Sequence, residues 1–174
     1  MPRLLWSVVL IAVCVTPSTL AQKVRGWRLA SADVAAITLP TSIDLDALDL
    51  DYDDRESVLG RTVVLNDDAI ADFFVRAAPA LCGATGNCPF VIIDGRSGRL
   101  LGRIGGNSIV VSERRVNAYP VLETWWSISG ETGEHSTYEF DSRSYELTAR
   151  ETLSSARRQR LIEEWRELPR LPNP

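Results

Sequence analysis

Residues 88–126 read CPFVIIDGRSGRLLGRIGGNSIVVSERRVNAYPVLETWW, and this stretch decides the fold. Apolar, β-branched runs at Phe90–Ile93, Leu100–Ile104 and Ile109–Ser112 are separated by DGRSGR and GGN. Both separators are rich in the glycine and polar residues that tight hairpins need. A longer segment, 116–126, is built around Pro120 and sets Val121, Glu123 and Trp125 against Leu122, Thr124 and Trp126. The polar connection SISGETGEHST follows, and then Thr137–Phe140 and Tyr145–Leu147 flank the turn DSRS. Strands recurring about every ten residues with turn chemistry between them predict an antiparallel meander.

Upstream, RTVVL (61–65) reads as a short buried strand. In DAIADFFVRAAP (68–79), Ile70, Phe73, Phe74 and Ala77 fall at helical spacing behind a possible cap at Asn66 or Asp67, with Pro79 as the stop. A short helix is therefore expected just before the turn that carries Cys82 and Cys88. Earlier still, 22–32 with Trp27 reads as a lead-in or edge strand, and the apolar run 34–39 ends at Pro40. The acidic segment SIDLDALDLDYDDRES (42–57) alternates Ile43, Leu45, Leu48 and Leu50 with aspartates, a period-two pattern that predicts one strand or two. Downstream, Thr148 and Glu151 have capping-box spacing, and Leu153, Ala156 with Arg160, Leu161, Trp165 and Leu168 lie near one stripe, so a C-terminal helix is expected. Its arginines are interleaved with Glu151, Glu163, Glu164 and Glu167, which weakens a lipid-binding reading of that helix. The expected class is α+β: an antiparallel β-meander with a short helix before the Cys-Cys turn and a C-terminal helix. The organisation follows as a leader at 1–21, an extended acidic lead at 22–60, a core domain at 61–148 and a helix and tail at 149–174.

The leader carries Arg3 ahead of the apolar run Leu4–Val15, with small residues Thr19 and Ala21 before Gln22. That order is the layout of a cleaved secretory signal peptide, and the run is shorter than the roughly 20 residues of a membrane span. Export is thus expected, to the periplasm or the medium. Of the chain's 3 cysteines, Cys14 would leave with the leader. In an oxidising compartment Cys82 and Cys88 are then most simply a disulfide. A thioredoxin-type pair wants two intervening residues, and a structural zinc site wants four ligands where Cys82, Cys88 and His135 supply three.

The remaining length, about 150 residues, suits one domain. The net charge of −4 offers no basic field for nucleic acid. Asp49, Asp51 and Asp53 have the alternate spacing of a calcium loop, but Asp54 and Arg61 stand where such a loop needs glycine and glutamate. Neither a metal nor a cofactor is expected. His135, the only histidine, lies in a polar connection without a nucleophile motif nearby. A carboxylate engine of the glycosidase type needs two carboxyls flanking a sugar groove, and Glu123 beside Trp125 and Trp126 is the place for one. The bland alternative is a half-exposed sheet face.

CGATGNCPFVIIDG (82–95), RLLGRIGGNSIVV (99–111), NAYPVLETWWSISG (117–130) and YEFDSRSYEL (138–147) together resemble a pattern in small secreted bacterial proteins whose function is not established. Those carry a Cys-(Gly-rich)-Cys-Pro turn, a Gly-Tyr-x-Asp-Leu segment and a Tyr-x-Phe-Asp-Gly-x-x-Tyr hairpin. Here Ala118, Val121 and Ser142 depart from the pattern. The resemblance implies a meander with a stapled first hairpin and brings no activity. The expected role is a non-enzymatic binding or accessory module for an envelope or extracellular partner, with Tyr119, Trp125, Trp126 and Tyr138 as its candidate contact surface. The alternative is a carboxylate-based hydrolase acting on cell-wall or extracellular carbohydrate.

Overall fold

The structure, a computed structural model, describes residues 26–171; the leader and Cys14 lie outside the described residues. Ten strands follow in chain order: β1 Gly26–Ala30, β2 Ala35–Ala36, β3 Leu59–Val63, β4 Asp72–Arg76, β5 Cys88–Ile93, β6 Leu100–Gly106, β7 Ser108–Val116, β8 Tyr119–Ser127, β9 Gly133–Phe140 and β10 Tyr145–Leu153. Among the described residues one α-helix, α1, follows at Ser155–Arg166. The strands form two antiparallel sheets, ordered β2-β3-β4-β5-β6 and β1-β7-β8-β9-β10.

The meander anticipated from residue 88 onward is real, but it is split between the sheets. Asn107 alone separates β6 from β7, and its amide donates to the Trp125 carbonyl at 2.7 Å. Gly106 beside it has φ 158°, and a Cβ there would stand 2.5 Å from that same carbonyl oxygen. A side chain at position 106 would block the corner at which the chain leaves one sheet and enters the other.

The helix expected before the Cys-Cys turn is absent, and the fold is mostly β with α1 as its one α-helix among the described residues. Residues 72–76 are instead the central strand β4, paired with β3 and β5. Phe74 faces the other sheet, whereas Phe73 and Val75 face the opposite side. A strand buried on both faces is continuously apolar, and in so short a run that is indistinguishable from helical spacing. Asn66 and Asp68 cap nothing helical: their side-chain oxygens accept the amides of Asp68 and Ile70, forming successive turns into β4. At the other end β10 runs through Leu153, so α1 begins after Ser154 and not at the Thr148–Glu151 box.

The chain builds four layers around three cores. Between the sheets lie Leu29, Phe74, Phe90, Ile92, Leu101, Ile109, Leu122, Phe140 and their neighbours. The outer side of the β2–β6 sheet, with Phe73, Val75, Val91 and Ile93, is covered by Leu39, Ile43, Leu48 and Leu50 of the acidic lead. The acidic segment 42–57 is not a strand. Asp44 accepts the amides of Asp46 and Ala47, Asp54 accepts that of Ser57, and Asp49 and Asp51 adopt left-handed φ of 54° and 58°. The aspartates therefore make turns, and the alternating apolar residues serve as pegs of a strap. Arg103 of β6 clamps the strap through the Leu48 and Ala47 carbonyls at 2.6 and 3.2 Å. On the far side, Trp165 and Leu168 of the C-terminal segment cover Val110, Trp125 and Leu153.

Candidate functional site

The cysteine pair is a disulfide between Cys82 and Cys88. Cys88 opens β5 within the inter-sheet core, and Asn87 ties the loop to β8 by donating to the Ser127 carbonyl and accepting the Ser127 amide. Because the closed loop is short, its removal should cost about 2 kcal/mol by chain-entropy scaling. Denaturation with and without reductant, checked against the Cys82→Ser, Cys88→Ser double variant, should show that loss with the fold retained.

The four aromatic candidates do not share one surface. Strand alternation and register place Leu122, Thr124 and Trp126 of β8 on the same side as Tyr138, Ser136 and Glu134 of β9 and Arg150 of β10. Glu123, Trp125, His135 and Glu151 occupy the other side. Tyr119 packs at the start of β8, its ring centroid 4.0 Å from that of Phe140, and its hydroxyl receives a bond from Asn66 at 2.9 Å. Trp125 is only 5 % exposed and belongs to the core under α1. Gly133 makes that possible, since a Cβ there would stand 1.6 Å from the Trp125 ring.

Trp126 and Tyr138 do come together. They line a groove of about 310 Å³ with Gly105, Ile128, Glu134, Ser136 and Arg150. Trp126 is 37 % exposed, and its ring lies over Gly105, where a Cβ would approach to 2.7 Å. The polar wall is connected: Arg150 reaches Glu134 at 3.2 Å, and the Ser136 hydroxyl donates to the same carboxylate at 3.3 Å. Glu134, Ser136 and Arg150 went unnoticed in the sequence, although their shared parity with Tyr138 and Trp126 becomes readable once β8, β9 and β10 are in register.

On the other side of the same sheet, the Glu123 carboxylate meets His135 Nε2 at 2.9 Å, and the imidazole stands edge-on to Trp165 at 5.8 Å. Glu151, Arg157 and Glu164 complete a second groove of about 310 Å³, with Arg157 paired to Glu151 at 2.6 Å. The carboxylates expected beside an aromatic subsite thus have the sheet between them and Trp126. Among the described residues no group of three or more His, Cys, Asp or Glu is arranged to hold a metal ion, and no helix is long and apolar enough to cross a membrane.

No family model, curated protein or solved structure matches this chain. Its function must therefore be read from the grooves themselves.

Proposed function

We propose that the chain is an exported, non-enzymatic binding module that holds an envelope or extracellular glycan in the groove of Trp126 and Tyr138. The observation that carries this reading is an accessible indole and phenol on one sheet face beside a linked Glu134–Arg150–Ser136 wall. An aromatic face offers area for the C–H face of a sugar, and the polar wall supplies both acceptors and donors for hydroxyls. Export is supported by the leader-like sequence 1–21 and by a disulfide of the kind that persists in oxidising compartments. The hydrolase alternative is disfavoured because Glu123 and Trp126 project from opposite faces.

Titration of the folded protein with soluble envelope oligosaccharides, followed by tryptophan fluorescence, tests the reading. Trp126→Ala should weaken binding by about tenfold or more while shifting Tm little, since the ring is partly in solvent. Unchanged affinity in that variant would refute the assignment. Release of a cleaved product that depends on Glu123 would replace it with the hydrolase reading.

A further inference from the structure

A separate cavity of about 370 Å³ lies where α1 meets β1 and the β8–β9 turn. Arg28 of β1 and Arg158 and Arg166 of α1 line it, together with Trp125, Trp165 and Ile162, and its lining contains no Asp or Glu. In a chain with an acidic net charge, three guanidiniums around one cavity with no carboxylate among them are a local concentration of positive charge. Arg96, Arg114, Arg115, Arg150, Arg157 and Arg170 are all in ion pairs, whereas Arg28, Arg158 and Arg166 are in none among the described residues. Arg158 donates to the carbonyls of Ser129 and Gly130, which orders its guanidinium without neutralising it.

We propose that this cavity binds a small organic phosphate, its oxyanion held by Arg28 and Arg158 and its organic part against Trp125, Trp165 and Ile162. The guanidinium fork suits a multi-oxygen anion, and charge-assisted bonds of this kind are about twice as strong as neutral ones. A volume of about 370 Å³ falls near the lower end of small-molecule sites, which run from roughly 300 to 1,000 Å³. The cavity contacts Trp125, on the opposite side of the sheet from Trp126, and does not depend on the glycan reading.

Calorimetric titration of the folded protein with glycerol 3-phosphate and with inorganic phosphate provides the test. Cosedimentation with phosphatidic acid vesicles, and with phosphatidylcholine vesicles as control, separates a lipid headgroup from a free phosphate. A dissociation constant below about 1 mM, weakened about tenfold or more by Arg28→Gln and by Arg158→Gln and falling with added salt, is the expected result. Saturable binding only to phosphatidic acid vesicles, lost in the same variants, assigns the phosphate to a lipid. If an arginine variant fails to fold, Arg166→Gln, on an exposed side chain, carries the charge test. The proposal is overturned if neither soluble phosphates nor phosphatidic acid vesicles bind saturably, if the folded variants bind like the wild type, or if phosphatidylcholine vesicles bind equally.

Discussion

Phe74→Ala should lower the unfolding free energy by about 3–5 kcal/mol, the range for removing a fully buried aromatic side chain, as read by chemical denaturation. The ring is inaccessible and sits between the two sheets with Phe90 and Ile92 of the neighbouring strand. Phe73→Ala should also be costly but through a different core, because its ring lies under the acidic strap with Val75 and Val91. The two variants should therefore differ in kind. Loss of Phe73 should increase protease access to residues 40–57 while the sheets persist, whereas loss of Phe74 should destabilise both sheets together. The same phenotype in both would show that the two cores do not come apart separately.

Asp72→Ala should cost about 2–4 kcal/mol, since it strips acceptors from two backbone amides at once. The carboxylate is 1 % exposed and accepts the amides of Leu65 and Gly95, each at 3.0 Å, stitching the β3–β4 turn to the β5–β6 turn. Burial pushes its pKa above the ordinary aspartate value, with nearby Asp94 and Asp68 adding to the rise, against the lowering effect of the two amides. A raised folded-state pKa means that the folded protein holds the proton more tightly than the unfolded chain does. The titration contribution is therefore present at pH values below about 4 and is lost as the pH climbs through the raised value. Measured against Asp72→Asn, which does not titrate, the wild type should have its largest relative stability in acid and lose ground toward neutrality. A stability difference that widens in favour of the wild type with rising pH would show that the amides outweigh burial.

The strand-and-turn pattern from residue 88 onward was legible because glycine-rich separators and β-branched runs are local signals. The disulfide was legible for a similar reason, since the cysteine spacing left few alternatives. Four things were not. Phe73 and Phe74 are buried on opposite faces, and that requires a cover on each side of the sheet that no local pattern announces. The apolar residues of 42–57 were seen as amphipathic, but only the sheet beneath them shows that they are pegs of a turn-rich strap. Adjacent aromatics suggest one surface, but alternation along β8 sends Trp125 under α1 and Trp126 into an open groove. Arg28 and Arg158 line one cavity only because β1 pairs with β7 and α1 folds back across that sheet.

The placement of β1 also constrains how the protein reaches its native state. The β2–β6 sheet is assembled from residues 35–106 and the run β7–β10 from residues 108–153, each by pairing of successive strands. β1 alone crosses between these blocks, with Gly26 opposite Ser112, and its free edge then bridges Arg170, where Arg28 exchanges backbone bonds with Pro169 and Leu171. The first of the described strands thus waits for residues 169–171 before its edge is enclosed. Hairpins formed between neighbours close quickly, while a pairing that spans most of the chain pays its loop entropy late. Insertion of β1 and sealing of its edge by the tail should be the slow, final step of assembly, and the intermediate before it exposes an unpaired strand edge to other copies.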